Sequence, residues 1–164
     1  MLPPTPAPLP LPPTSSEFLD LFGPRVRHRT PLTNHDDDYC LIEAVFPPGA
    51  RVRLHSHEHE TFFVLSGEFQ GFKDGRWHDL GAGSVFDVPA GVRHALRNVS
   101  DGDTHLLVAI KMRVGRFLRD IGRPTSEAKS APPTAAETER ITKVSAVYGY
   151  WRGTLEENAA IGLT

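Results

Sequence analysis

The sequence has little of several features that would point to particular classes of protein. It contains one cysteine, Cys40, so neither an internal disulfide nor a cysteine-ligated metal site can form within the chain. A net charge of −2 over 164 residues gives no electrostatic reason to expect binding to nucleic acid or to an anionic membrane. No apolar run is long enough to span a bilayer and no signal peptide is recognisable, so we expect a cytoplasmic protein.

Two further features have structural rather than functional interpretations. Cys40 lies within the apolar run 39–46, where we expect a small buried side chain rather than a nucleophile. A locally basic stretch near the start of the C-terminal third is interrupted by acidic residues, and we interpret it as a solvated face. Its arginines are Arg113, Arg116, Arg119 and Arg123.

Composition divides the chain into three parts. Residues 1–15 are rich in proline, with seven prolines among the first fourteen residues, which favours extended chain over packed structure. We interpret them as a flexible arm, with a strap on a partner subunit as the alternative. Residues 16–112 have the pattern of a β domain led by a short capped helix over 16–22. Residues 113–164 have the pattern of a helical extension.

The central part has the sequence pattern of an all-β domain. Short apolar-rich runs alternate with Gly, Pro, Asn and Asp turns, which indicates a sandwich, jelly roll or barrel. Asp74 and Gly75 predict a two-residue hairpin turn because both tolerate positive φ. The predicted strands cover residues 39–46, 51–55, 60–66, 68–73, 76–80, 84–88, 92–99 and 104–112.

Two amphipathic helices are predicted after the last strand. The first has an apolar face formed by Val114, Phe117, Leu118 and Ile121, and it ends before Gly122 and Pro124. The second begins at the capping box Thr134–Glu137 and places Ile141, Val144 and Val147 on one side. We expect the helices to cover an outer face of the barrel or to form a dimer contact.

A cluster of histidines and a carboxylate is the main chemical signal. His55 and His57 alternate along one strand and can project to the same face, and Glu60 follows closely. His94 lies on a separate strand that a closed barrel could bring against them. Imidazole and carboxylate ligands suit Fe, Mn, Ni, Cu and Zn, and a mixed set with open positions suits oxygen or Lewis-acid chemistry.

These residues resemble the two motifs of the cupin superfamily. The second family motif is Gly, five residues, Pro-x-Gly, two residues, His, three residues, Asn, and it is matched at Gly83, Pro89, Gly91, His94 and Asn98. The first is Gly, five residues, His-x-His, three or four residues, Glu, six residues, Gly. It is matched, with one departure, at Gly49, His55, His57, Glu60 and Gly67.

The resemblance implies a single-domain cupin, loosely similar to quercetinase-like cupins. Its fold would be an all-β double-stranded β-helix (jelly roll) barrel with C-terminal helices, and homodimers are common in the family. The resemblance also implies one divalent transition metal (Fe, Mn, Ni, Cu or Zn), held by His55, His57, Glu60 and His94.

The departure concerns the spacing of the first motif. Only two residues separate His57 from Glu60, one fewer than the shortest family spacing. A tighter turn could restore the usual geometry, or His59 could serve as the alternate ligand. If the family's four-residue gap is counted back from Glu60, the two histidine positions of the motif fall on Arg53 and His55. A cation would then replace one ligand.

The remaining candidates have weaker signals. Phe62, Val64 and Leu96 would line an apolar pocket, although in any β barrel they would also be core residues. Four other histidines fit no ligand spacing and are interpreted as surface or hydrogen-bonding residues; they are His28, His35, His78 and His105.

Three functions are compatible with this pattern, each with a small-molecule ligand or substrate. The first is a mononuclear metal-dependent dioxygenase in which Glu60 is either a ligand or a catalytic base. The second is a non-catalytic ligand-binding or sensory protein. The third is a sugar isomerase or epimerase, which needs a basic residue at the site. Its candidate, Arg93, is expected on the opposite face from His94.

Overall fold

The computed structural model describes residues 17–125 and 133–164, so the predicted proline-rich arm lies outside the described residues. Within them the chain forms mostly antiparallel strands and three helices. The strands are β1 (Leu19–Asp20), β2 (Arg25–His28), β3 (Tyr39–Phe46), β4 (Arg51–Ser56), β5 (Glu60–Ser66), β6 (Phe69–Lys73), β7 (Arg76–Leu80), β8 (Val85–Val88), β9 (His94–Arg97), β10 (Thr104–Lys111), β11 (Arg123–Pro124) and β12 (Trp151–Arg152). The helices are α1 (Met112–Ile121), α2 (Ala135–Tyr148) and α3 (Leu155–Ala160).

The strands form two antiparallel sheets that share one core. The seven-stranded sheet has the order β11-β1-β2-β3-β10-β5-β8, and the five-stranded sheet has the order β12-β4-β9-β6-β7. Buried side chains from both sheets, such as Phe62 on β5 and Leu96 on β9, meet in a single cluster, the main core. The predicted all-β jelly roll is confirmed.

Strand β10 illustrates why the sequence folds this way. Its side chains alternate between buried and half-buried along all eight residues, and Leu106, Val108 and Ile110 have no exposed surface. Because successive side chains of a strand point to opposite faces, these three enter the core together. All eight predicted strands are present within two residues at each end. The hairpin turn is also confirmed, with φ of 54° at Asp74 and 79° at Gly75.

The predicted N-terminal helix is wrong over the described residues 17–22. Leu19 and Asp20 instead form β1, which pairs with β2 on one side and β11 on the other. Phe22 has a φ of 62°, a left-handed conformation that no helix can continue through. The Asp20 carboxylate accepts a 2.7 Å hydrogen bond from Arg123, so a cation distant in the sequence helps to hold this segment as a strand between β2 and β11.

The C-terminal helices agree with the sequence in part. The capping box of α2 is present, with reciprocal hydrogen bonds between Thr134 and Glu137. Ile141 is buried against Phe117 and Val144 packs in the same cluster, whereas Val147 is 81% exposed, so the packed part of this helix side ends before it. Helix α3 was not predicted, although Thr154 and Glu157 form a capping box that signals it.

The interpretation of the basic stretch as a solvated face is wrong for two of its arginines. The side chains of Arg116 and Arg123 are only 17% and 12% exposed. Arg116 pairs with Asp36, and Arg123 pairs with Asp20 and Glu137. The pairs with Asp36 and Asp20 attach α1 and the segment that follows it to the N-terminal part of the described chain, and the pair with Glu137 attaches this segment to α2.

The C-terminal residues cover the outer face of the five-stranded sheet. Leu163 packs with Leu54 and Ala95 in a second cluster, the outer cluster, together with Trp77 and Trp151. The Trp77 indole donates a 2.9 Å hydrogen bond to the carbonyl of residue 161. None of the helices in the described parts of the chain has the length and apolar character to cross a membrane. The cytoplasmic location stays a prediction.

Candidate metal centre

Three histidines and one carboxylate meet at one end of the two sheets. His55 on β4 lies directly opposite His94, the first residue of β9, and their ring centroids are 4.2 Å apart. His57 follows the end of β4, with its ring centroid 5.0 Å from His55 and 5.1 Å from His94. Glu60 is the first residue of β5 on the facing sheet. The structure therefore brings together the four residues that the sequence singled out.

A local irregularity in β4 turns His55 toward the core. Val52 packs against the main core, whereas Leu54 belongs to the outer cluster, although regular alternation would place both on one face. The pairing of β4 with β9 shifts register between Val52 and His55, as a β-bulge does. The extra residue reverses the alternation, so that His55 faces the same side as His94.

Each histidine is oriented by its backbone. The Nδ1 atoms of His55, His57 and His94 lie 2.7, 2.7 and 2.9 Å from the carbonyl oxygens of Arg53, Glu58 and Val92, respectively. A carbonyl can only accept, so each Nδ1 carries the proton. The Nε2 atoms are then the nitrogens available to the interior, an orientation that metal-binding histidines commonly use.

Glu60 completes the set electrostatically. Its Oε2 lies 3.2 Å from His57 Nε2 and 3.1 Å from His94 Nε2. Burial by itself would raise the pKa of Glu60, but the charges and hydrogen bonds of His57 and His94 outweigh it and hold this pKa far below its usual range. Glu60 also raises the pKa of His57 despite the opposing effect of burial. The pKa of His55 is lowered well below its usual value, first by burial and then by the two neighbouring rings.

The donor set fits a divalent transition metal. One ligand atom from each of His55, His57, Glu60 and His94 lies within 4.8 Å of all the others. Two ligands of one ion, with bonds of about 2.1 Å, are at most about 4.2 Å apart, so the four groups need only a small contraction. Three neutral imidazoles and one carboxylate are ligands of the kind that Fe, Mn, Ni, Cu and Zn accept.

The short spacing before Glu60 is accommodated by the loop that precedes β5. The carbonyl of His57 accepts a 2.9 Å hydrogen bond from the amide of Gly91, and the Glu58 side chain pairs with Arg113 at 2.9 Å. These contacts hold the loop in a tight path, which lets Glu60 reach the histidines without a third intervening residue.

His59, the alternate ligand, lies outside the cluster. Its Nε2 donates a 2.7 Å hydrogen bond to the Asp87 carboxylate, and its Nδ1 accepts one of 2.8 Å from the Tyr39 hydroxyl. These partners lie on the outward side of the seven-stranded sheet, where Tyr39 is 48% exposed. A metal ion held by the other three histidines would therefore not have His59 within reach.

The other predicted site residues occupy structural positions. Phe62, Val64 and Leu96 are buried in the main core, and their role in a pocket stays a prediction. None of the four remaining histidines in the described chain belongs to the cluster; the Nε2 of His28, for example, donates to the carbonyl of Gly115. Arg93 stacks at 3.9 Å over the ring of Trp151, away from the cluster, as expected.

Sequence reasoning missed a group of residues beside His57. The ring of Tyr150 lies 5.6 Å from that of His57. Its hydroxyl and Glu58 Oε2 are both fully buried, and neither makes a hydrogen bond of normal geometry within the described residues. Burial raises the pKa of Glu58, but the neighbouring Tyr150 and Arg113 outweigh it and lower this pKa. Nothing in the sequence spacing connects residue 150 with the histidine motif, so only the fold reveals this contact.

The fold and the site together define a jelly-roll protein with three histidines and one glutamate placed to hold a single metal ion. The Cupin domain family matches residues 42–110, a range that holds all four clustered residues. Residues 42–110 are therefore a cupin domain.

The relatives of the chain are distant. It is 30% identical over 93 residues to quercetin 2,3-dioxygenase of Bacillus subtilis, a match that covers 56% of this chain and 28% of that protein. It is 30% identical over 78 residues to the oxalate-binding protein of Thermotoga maritima, covering 46% of this chain and 64% of that one. The chain thus spans less than two thirds of either curated relative.

A solved structure agrees with the fold. A Cupin 2 conserved barrel domain protein from Salinispora arenicola superposes with a TM-score of 0.50 at 20% identity. The match covers 84% of this chain and 96% of that one. At this identity the likeness concerns the fold alone.

Proposed function

We propose that the protein is a mononuclear metal-dependent dioxygenase acting on a small organic substrate. The observation that carries this proposal is the convergence of three histidine Nε2 atoms, each with its Nδ1 tied to a carbonyl, on the buried carboxylate of Glu60. A bound divalent transition metal supplies Lewis-acid and oxygen chemistry at such a site.

The residues of the chain have distinct roles in this proposal. His55, His57 and His94 hold the ion, and their hydrogen bonds to backbone carbonyls keep the rings in place. Glu60 is the fourth ligand, or it leaves the ion and takes a proton from the substrate as a general base. A carboxylate held ionised by two neighbouring histidines is suited to metal ligation, whereas the base role requires Glu60 to move away from them, where its pKa is higher.

The similarity to quercetin 2,3-dioxygenase adds support to the choice of reaction. The two proteins align at 30% identity over 93 residues of this chain. Because the match covers only 28% of that enzyme, its substrate does not transfer directly. We therefore propose only the reaction class. The substrate is to be identified by testing a panel of phenols and thiols.

Two measurements test the proposal. Elemental analysis of protein purified without an affinity tag should find one metal ion per chain, which His94→Ala should lose. Anaerobic reconstitution with Fe(II), Mn(II), Ni(II) or Cu(II), followed by oxygen uptake against phenols and thiols, should then reveal turnover. Metal binding without oxygen uptake for any metal would reject the dioxygenase.

A non-catalytic small-ligand-binding protein is the second candidate. The specific observation in its favour is the similarity to an oxalate-binding protein, at 30% identity over 78 residues. Co-purification of a small molecule that the loaded protein retains and does not convert would favour this function over the first.

We also propose that the protein is a homodimer. Large apolar side chains are exposed on the outer face of the seven-stranded sheet, whereas the C-terminal residues cover the outer face of the other sheet. Phe63 on β5 lies opposite Val85 on β8, and they are 40% and 58% exposed. A second copy would remove this apolar surface from water.

A further inference from the structure

The segment from Tyr150 to Arg152 lies beside the metal centre. Its side chains point alternately to the inner and outer faces of the five-stranded sheet. Tyr150 packs against the main core and His57, whereas Trp151 packs in the outer cluster. Arg152 comes next and lies directly opposite His55 in the pairing of β12 with β4. Residues directly opposite in an antiparallel pair project to the same face, so Arg152 extends along the same side of the sheet as His55.

The position of Arg152 is fixed by the sheet rather than by a salt bridge. The amide of Gly153 donates a 2.8 Å hydrogen bond to the carbonyl of Leu54, which holds the end of β12 on β4. Within residues 17–125 and 133–164, no carboxylate forms an ion pair with Arg152 or with nearby Arg53. Arg152 is nevertheless open to solvent, so a ligand entering from outside can reach it.

The charge environment of Arg152 is cationic. Arg53 lies two residues before His55 on β4, the strand that pairs with Arg152, so it adds a second positive charge to this region. Two positive charges thus lie on neighbouring strands, and like charges close together cost electrostatic free energy. An anionic ligand would relieve this repulsion, because guanidinium groups bind oxyanions through paired, charge-assisted hydrogen bonds.

We propose that Arg152, with Arg53 beside it, forms an anion-binding subsite next to His55 that takes the carboxylate of a small organic substrate. This proposal deepens the proposed function and rests on it, since the substrate is bound beside the metal ion. The subsite would orient a small carboxylic acid by its charged end and direct the rest of the molecule toward the three histidines. Arg152 is in this respect a specificity residue supplied by the C-terminal extension, outside the cupin motifs.

The test uses acetate as a carboxylate probe and acetamide as its neutral isostere. The full chain is loaded with Mn(II), and the paramagnetic relaxation of the methyl protons of each probe is titrated. Acetate should bind saturably, and acetamide should bind far more weakly. Arg152→Gln should weaken acetate binding by about tenfold or more, which corresponds to the loss of a charge-assisted hydrogen bond. Arg152→Lys keeps the charge but loses the bidentate guanidinium geometry, so its affinity for acetate should lie between those of the wild type and Arg152→Gln.

A matched control separates this effect from general charge. Arg51 lies on the same strand as Arg53, is exposed, and is paired with the outward-facing Arg97 rather than with a site residue. Arg51→Gln should leave acetate binding unchanged. Equal acetate affinity in the wild type and Arg152→Gln would overturn the proposal, as would equal binding of acetate and acetamide. In a parallel titration, inorganic phosphate is added while the proton relaxation of acetate is followed. Phosphate should displace acetate only weakly. Phosphate binding that depends on Arg152 in place of acetate binding would overturn the assignment to a carboxylate.

The failure of this proposal can be distinguished from failure of the metal site. Mn(II) retention is measured first by electron paramagnetic resonance on the wild type and on Arg152→Gln, and both should retain the ion equally. A wild type that retains no Mn(II) rejects the metal site, and calorimetric titration of the metal-free variants with acetate then decides on Arg152 alone. Retained Mn(II) with no effect of Arg152→Gln rejects only the subsite.

Discussion

Glu60 and His94 join the two sheets of the protein at one end. Glu60 Oε2 lies 3.1 Å from His94 Nε2, although 34 residues separate them in the chain. Each is the first residue of its strand, Glu60 on the seven-stranded sheet and His94 on the five-stranded sheet. The candidate metal centre therefore spans the interface between the sheets.

The carboxylate of Glu60 should be needed for tight metal binding. Glu60→Gln keeps the shape of the side chain but removes its charge, so we expect divalent metal affinity to fall by at least about tenfold. Competition with a chromophoric chelator measures this. Glu68→Gln is the matched control, because Glu68 is exposed beyond the other end of β5 and lies outside the ligand cluster. Equal losses in both variants would contradict a direct role for Glu60.

Asn98 should be important for stability and not for metal binding. Its side-chain amide donates to the carbonyls of Phe46 and Gly102 at 2.7 and 2.8 Å, and its oxygen accepts from Ser100. Asn98→Asp turns the two donated bonds into repulsive contacts between oxygens in a buried position. We expect a loss of about 2–4 kcal/mol in the free energy of unfolding, measured by urea denaturation. Unchanged stability, or loss of metal from the folded variant, would contradict this structural role.

Gly115 should resist replacement by alanine even though it lies within helix α1. Alanine usually favours a helix by up to about 1 kcal/mol over glycine. Here an added Cβ would lie 2.6 Å from Cys40 Sγ and 2.9 Å from Leu32 Cδ2. Gly115→Ala should therefore lower the free energy of unfolding by about 1–3 kcal/mol. Combination with Cys40→Ala should recover part of the loss, and a Gly115→Ala variant more stable than the wild type would exclude the clash.

Cys40 should make stability depend on pH in the alkaline range. Burial raises the pKa of its thiol to about 11, whereas an unfolded cysteine titrates near about 8.5. The neutral thiol is thus favoured by folding. Its contribution is fully present below the unfolded pKa and is lost progressively as pH rises toward 11, by about 2–3 kcal/mol. Thermal unfolding of the wild type and Cys40→Ala between pH 8 and 11 should show a steeper decline in the wild type. Parallel curves would contradict it.

The exposed face of the seven-stranded sheet should mediate the proposed homodimer. Phe63→Asp places a charge within this face and should convert a dimer to a monomer in light-scattering measurements. Leu155 on α3 is 75% exposed elsewhere on the molecule, so Leu155→Asp serves as the control and should leave the dimer intact. A Phe63→Asp variant that stays dimeric would place the interface on another surface.

The parts of the fold that follow local patterns could be predicted from the sequence. The pattern of short apolar runs and turn residues predicted β3 to β10 but not β1, β2, β11 or β12, and the motifs indicated that His94 could meet the first histidine cluster. The direction of His55 was predictable only in outline, because the bulge after Val52 depends on how β4 pairs with β9.

The errors concern segments whose conformation is set by distant partners. The sequence predicted a helix over residues 19–20, but pairing with β2 and β11 holds them as a strand. Strand β12 has only two residues, and no periodicity can reveal so short an element. The contacts of Tyr150 and Arg152 with the site therefore depend on tertiary docking that a linear pattern does not encode.

The pairing of β12 with β4 also determines which part of the fold forms last during synthesis. Strand β4 carries His55, yet its partner on that edge lies about a hundred residues further along the chain. During synthesis the histidine strand therefore has an open hydrogen-bonding edge long after its own residues have emerged. The last stage of folding then closes this edge and delivers Tyr150 and Arg152 to the site, so that a premature stop codon before residue 150 would leave His55 on a strand with an unpaired edge.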